Sequence, residues 1–183
     1  MKFIDTGIED LWVIEPTIFE DERGFFYEGF KSDVLAQKGF DVSFNQDNIA
    51  QSKKGVIRGM HLQKEPFAQA KILRCLTGAI LDVAVDMRID SPSYKKYFSI
   101  ELTQDNHKQL LVPRGFAHGY LVLSDTADVM YKVDNVWNRE AEVGFRYDDA
   151  EINIDWGTDH AFVLSDKDLI LPSFNELVNE IYV

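Results

Sequence analysis

Cysteine is nearly absent: Cys75 is the only one in 183 residues. No intrachain disulfide is possible, and no cysteine-rich zinc site can be assembled. A reducing, cytoplasmic compartment fits this usage. Positive charge is also scarce, with 19 Lys and Arg against 31 Asp and Glu and a net charge of −12. Such a chain repels nucleic acid and anionic membranes, so neither is expected as a partner. No stretch approaches the ~18 uncharged apolar residues of a membrane span. Met1–Ile4 lacks the basic start and apolar run of a signal peptide, so none is expected. Prolines number five, and there is no internal repeat, low-complexity tract or linker. What remains is 45% hydrophobic, 13% aromatic and 27% charged, a globular composition that excludes a disordered chain. At roughly 100–200 residues per domain, the expectation is a single domain over 1–183. That length buries a core without staples.

The dominant texture is short strands. Leu81, Val83, Val85 and Met87 alternate with Asp82, Ala84, Asp86 and Arg88, the period of a half-buried strand. Phe98, Ile100 and Leu102 repeat the pattern, and Tyr120–Leu123 and Val129–Val133 read as further strands. Turn signals separate them at Thr77-Gly78, Asp90-Ser91-Pro92, Pro113-Arg114-Gly115 and Ser124-Asp125. The spacing predicts a sandwich or barrel. Two helices are expected, a short one over Ser32–Gln37 and one after Pro172. In the second, Ser173 and Glu176 form a capping box, and Phe174, Leu177, Val178 and Ile181 share an apolar face that packs as a terminal lid.

Four segments could carry chemistry. Gly55–Lys71 holds Arg58, His61, Gln63, Gln69 and Lys71, and on a strand His61 and Gln63 share a face. Taken alone, His61 reads equally well as a hydrogen-bonded structural histidine. Val112–Leu121 sets a tight turn before His118. Tyr131-Lys132 ends an alternating strand, where a tyrosine is commonly core. Leu164–Asp168 puts three charges beside an apolar run, as a solvated loop would.

The segments resemble, in order and spacing, the dTDP-4-dehydrorhamnose 3,5-epimerase family. The resemblance runs from about Ile14 to Pro172 through DERGFFYE at Asp21–Glu28, FNQDN at Phe44–Asn48, GVIRGMHLQ at Gly55–Gln63 and QAKILR at Gln69–Arg74. It continues through GAILDVAVDMR at Gly78–Arg88, SPSY at Ser91–Tyr94, the run Val112–Lys132 and IDW at Ile154–Trp156. It implies an all-β, double-stranded β-helix (a cupin jelly roll) with short helices. It also implies a homodimer acting on a dTDP-linked 4-keto-6-deoxyhexose without cofactor or metal. Cupins often bind metal through an HxH pair, a following Glu and a His in a PxGxxH turn. Pro113–His118 fits the turn, but Gln63 and Phe67 occupy the second and third ligand positions, so a metal-free site is expected.

By resemblance, His61 is the base, Asp168 orients it, Tyr131 is the acid on the opposite ring face, and Lys71 stabilises charge on the C4 oxygen. Asp166, two residues from Asp168 and expected on the same strand face, is a fallback. Binding positions implied are Arg23 and Arg58 for the diphosphate, and Glu28, Gln46, Asp47 and Asn48 for the nucleotide. Phe26 and Trp137 are implied to stack on thymine, His118 to bond the sugar, and Glu142 and Lys167 to make peripheral contacts. Ala50 stands where the family often has Ser, Leu62 where Tyr or Phe is common, and Trp137 where Tyr is frequent. Competing readings are a single-site epimerase of a related sugar, a 4-keto sugar isomerase, a non-catalytic sugar-nucleotide-binding module and a metal-dependent cupin oxygenase. The homodimer is expected to exchange strands, covering Phe3, Ile4, Ile8, Leu11, Trp12 and Ile14 of Lys2–Pro16.

Overall fold

A computed structural model describes residues 1–40, 42–157 and 161–182. In chain order the first strands are β1 (Lys2–Asp5), β2 (Trp12–Glu15), β3 (Phe19–Asp21), β4 (Gly24–Phe26), β5 (Gln46–Lys53), β6 (Ile57–Gln63) and β7 (Lys71–Thr77). They continue with β8 (Ala79–Asp86), β9 (Tyr97–Thr103), β10 (Gln109–Val112), β11 (Phe116–Val122), β12 (Thr126–Val133) and β13 (Glu142–Gly144). The helices are α1 (Ser32–Ala36), α2 (Asp166–Leu169) and α3 (Phe174–Tyr182).

Two sheets face each other. One has six strands in the order β1-β2-β10-β7-β12-β5, and the other five in the order β13-β6-β11-β8-β9. Apart from β1-β2 and β8-β9, neighbours in space are not consecutive in sequence, and the named strands pair antiparallel, as in a cupin-like jelly roll. A separate two-stranded hairpin, β3-β4, stands apart from both sheets.

Strand β8 shows how the layers form. Ile80 and Ala84 join Leu73, Leu110 and Val129 in the core between the sheets. Val83 and Val85 face the other way, into a second core with Phe145, Trp156, Phe174 and Leu177. The chain after β13 therefore covers the outer face of the five-stranded sheet, and β8 is buried on both sides. The alternation at Leu81–Arg88 suggested a half-exposed strand. Instead Asp82 and Asp86 have no exposed surface, because they share the face of Ile80 and Ala84, which the six-stranded sheet covers. Helix α3 seats Phe174 and Leu177 in that layer. Its start is a true capping box: Ser173 N and Oγ donate to Glu176 Oε2 at 2.8 and 2.7 Å, and Glu176 N donates to Ser173 Oγ at 3.4 Å.

Much of the apolar N-terminal segment packs within its own chain, while Phe3, Ile4 and Trp12 are only partly buried. Strand β1 pairs β2, and β2 pairs β10. Ile8, Leu11, Val13 and Ile14 are buried in this chain's cores. The β3-β4 hairpin exposes three phenylalanines close together, Phe19, Phe25 and Phe26.

Candidate active site

A cavity of about 440 Å³ has walls from both sheets. Strand β6 supplies His61 and Arg58, β7 Lys71, β11 His118, β12 Tyr131, β13 Glu142, and α2 Lys167 and Asp168. Two glycine positions let these elements close up. A Cβ on Gly59 would lie 2.5 Å from Gly119 Cα, so β6 and β11 approach closely beside a register shift that sets His61 opposite His118. A Cβ on Gly144 would meet the Met60 carbonyl at 2.2 Å and His61 Cδ2 at 3.2 Å. Glycine there allows β13 to lie against the histidine.

His61 Nε2 donates to Asp168 Oδ1 at 2.6 Å. A carboxylate accepts only, so Nε2 carries a proton, and in the neutral form of the ring Nδ1 holds the lone pair. No second hydrogen bond to this ring occurs among the described residues. The Asp168 side chain is 5% exposed. Burial raises its carboxyl, but the His61 bond and charge, Ser165 and Lys167 outweigh burial and hold it below the ordinary value. The segment reading LSDKD is a short helix rather than a solvated loop. Ser165 caps it, accepting from Asp168 N at 3.2 Å. On a helix, positions two apart point to different sides. Asp166 is accordingly exposed and does not line the cavity, so the expected shared face with Asp168 is absent.

Lys71 is pulled down to about 8 by burial, with Glu142 and then Asp82 opposing. Near neutral pH it is mostly an ammonium. The Tyr131 phenol is raised, chiefly by burial, with Arg58 opposing and Glu142 adding to the rise. It keeps its proton until a strong base appears. His118 donates from Nε2 to Asp82 Oδ1 at 2.7 Å, and burial lowers its basicity despite that carboxylate. Burial raises the Glu142 carboxyl, but hydrogen bonds from Lys167 and Trp137 and the charges of Lys167 and His61 together hold it low. Arg58 is fixed by a 2.9 Å bond from Nε to Ser52 Oγ, which leaves its terminal nitrogens free.

An adjoining cavity of about 390 Å³ shares His61, Lys71, Tyr131 and Glu142 with the first, and adds Gln46, Asn48 and Trp137. The two adjoin as a chamber and an arm that share these four side chains. Four residues singled out from the sequence are not brought there. Asp47 pairs with Lys132 at 2.6 Å on the other face of β5. Arg23 and Phe26 lie on the β3-β4 hairpin, away from both cavities, and Arg23 is held by Asp21 at 2.5 Å. Glu28 faces Lys31 at 3.7 Å. Within one chain the hairpin does not fold back over the cavity.

Gln63, at the second position of a cupin metal set, spends its side chain on backbone. It donates to the Phe67 and Val136 carbonyls and accepts from Asn138 N. Among the described residues no group of three His, Cys, Asp or Glu side chains is placed to hold a metal ion. Sequence reasoning missed Ser52, Asp82, Tyr120 and Ser165. Asp82 looked like the solvent side of an alternating strand, and Ser165 carried the usual cap signal of a serine before a charged turn.

A family model described as dTDP-4-dehydrorhamnose 3,5-epimerase matches residues 5–176. The chain belongs to the dTDP-4-dehydrorhamnose 3,5-epimerase family. The enzyme of that name from Escherichia coli K12 is 45% identical over 179 residues, 97% of each chain. A crystal structure of the Elizabethkingia anophelis protein of the same name superposes with a TM-score of 0.93 at 46% identity, covering 96% of this chain and 97% of the other. A dTDP-6-deoxy-D-glucose-3,5-epimerase from Legionella pneumophila, solved with dTDP-4-keto-L-rhamnose, gives 0.94 at 39% identity, covering 98% and 96%. Within an epimerase fold, the His61–Asp168 pair, Lys71 and Tyr131 converge on one chamber.

Proposed function

We propose that this protein inverts C3 and C5 of dTDP-4-dehydro-6-deoxy-glucose to give dTDP-4-dehydro-rhamnose. The observation that carries the reading is the His61–Asp168 pair lining one cavity with Lys71 and Tyr131. Protons on C3 and C5 flank the C4 ketone, so losing either leaves an enolate. His61 Nδ1 takes the proton, and the C–H electrons pass to the C4 oxygen. Asp168 holds the ring in the basic tautomer and stabilises the imidazolium that forms. The Lys71 ammonium meets the enolate oxygen, where preformed charge is most effective. Tyr131 returns a proton to the opposite face. A raised phenol is a weak acid, but an enolate carbon is a strong base. Solvent then reloads Tyr131 and discharges His61, and the cycle repeats at the second carbon.

The adjoining cavity suits the diphosphate and base. Arg58 and Lys71 give local positive charge in a chain of net charge −12. Gln46 and Asn48 offer polar contacts there, Trp137 a stacking face and Glu142 part of its wall, while Lys167 lines the first cavity. His118, whose Nε2–H is engaged by Asp82, offers the sugar its Nδ1 as an acceptor. Arg23, Phe26 and Glu28 are assigned to the site of a second copy in a homodimer, because their exposed apolar hairpin reaches neither cavity of its own chain. Asp47 then acts through its Lys132 pair at the sheet edge.

The whole chain acts as one domain, free of cofactor and metal. The one buried free cysteine fits a cytoplasmic setting, and no described helix is long and apolar enough to cross a membrane. Ring-proton couplings of the product decide the reading. Inversion at both C3 and C5 is expected, and a product inverted at one carbon moves the assignment to a single-site epimerase.

A further inference from the structure

Behind the cavity lies a carboxylate that the chemistry above does not use. Asp82 on β8 has no exposed surface. Its Oδ1 accepts from His118 Nε2, and its Oδ2 has no hydrogen-bond partner among the described residues. A buried carboxylate is costly unless a cation or full hydrogen bonding compensates it. His118 cannot supply that cation near neutral pH, because burial lowers its basicity despite Asp82 beside it. Among the cations lining the cavity, Lys71 on the facing sheet is one on which the Asp82 charge acts. Lys71 itself makes no ion pair within 4.0 Å among the described residues.

We propose that Asp82 is a positioning residue of the reaction: from behind the cavity wall its carboxylate keeps Lys71 charged and His118 in its Nε2–H tautomer, without tethering the Lys71 amine. This rests on the epimerase reading, in which that amine meets the enolate oxygen. A direct salt bridge would compete with the enolate for the ammonium. A carboxylate set back from it supplies the field and leaves the donors free.

The groups around Lys71 bear this out. Facing the chamber are Arg58 and His61 from β6, His118 and Tyr120 from β11, Tyr131 from β12, Glu142 from β13, and Lys167 and Asp168 from α2. Of the carboxylates, Asp168 is bound to His61 and Glu142 to Lys167 and Trp137. Glu142 acts on Lys71 more strongly than Asp82 does, but its charge is shared with Lys167. Of the three carboxylates, Asp82 alone keeps a buried oxygen without a hydrogen-bond partner among the described residues.

The test is Asp82→Asn, whose amide oxygen can still accept from His118 while the charge is gone. The alkaline limb of kcat, set by Lys71 near 8, should move down by about one pH unit. Turnover at pH 8.5 then drops several-fold further than at pH 6.5, and affinity for dTDP alone is unchanged. NMR titration of lysine labelled at Cε reads Lys71 without turnover, the signal being assigned by its loss in Lys71→Arg. Lys71 should titrate lower in Asp82→Asn, and Asp82→Glu should restore it. Should the Asn variant not fold, Asp82→Ser reads the same loss of charge. A Lys71 titration that stays put in the neutral variants overturns the proposal, whatever their activity. A wild-type protein that exchanges no sugar protons sinks the epimerase reading instead.

Discussion

Replacing Asp168 by Ala isolates what the carboxylate does for the base. The side chain is 5% exposed and holds His61 Nε2 at 2.6 Å. The helix cap uses the Asp168 backbone N–H, so it survives the substitution. Two things are lost, the fixed tautomer and the stabilisation of the imidazolium. A hydrogen bond to a charged group is worth about 1.5–3 kcal/mol, and freeing the ring adds to that. A total of about 2–4 kcal/mol corresponds to roughly 30- to 1,000-fold in kcat. Affinity for dTDP, which the proposal seats in the arm rather than the chamber, should stay within about twofold. Asp168→Asn separates the two losses. If its amide oxygen accepts from Nε2, the tautomer is kept and the loss is the smaller. If its NH2 faces the ring, the base is locked in the wrong tautomer and the loss approaches the ~10⁴ known for the equivalent change in a serine protease triad. Steady-state turnover of both variants is the assay. An Asp168→Ala enzyme within about threefold of wild type would refute the orienting role.

Lys71→Met should lower kcat by at least about 100-fold while KM changes little, since a preformed donor to the enolate acts on the transition state. In the wild type, activity should fall as pH rises through about 8, where the lowered Lys71 loses its proton; a flat profile to pH 9.5 argues against it. Phe26→Ser or Arg23→Ala should raise the Kd for dTDP without changing the fold, and light scattering should give a dimer; a monomer at micromolar concentration removes the second-copy assignment. Arg88 holds the fully buried Asp86 at 2.9 Å, so Arg88→Ala should cost about 3 kcal/mol by denaturant titration. Burial raises Asp86, but Arg88, Ser91 and Ser93 together lower it. Its contribution is therefore present above the ordinary aspartate value and lost as pH falls through the lowered one.

Much of the site could be read in the sequence because its residues sit at fixed spacings on paired strands. Arg58 and His61 lie on β6, and Lys71 opens β7. The antiparallel pairing of His61 with His118 joins two motifs 57 positions apart. The capping box of α3 is purely local and appears as written. What could not be read depended on layers and partners. Asp82 alternates like a solvent-facing residue, yet a second sheet covers it. Asp166 and Asp168 seemed to share a face because the segment was not recognised as a helix. Much of the apolar N-terminal segment packs in its own chain's cores, and hydropathy alone does not tell a partner's sheet from the chain's own.

The central claim is proton removal and return at carbons beside the ketone. Proton NMR of dTDP-4-dehydro-6-deoxy-glucose with the protein in D2O tests it directly. The account predicts deuterium at both C3 and C5, absent with His61→Ala. Full retention of both protons while the sugar nucleotide is bound would contradict it.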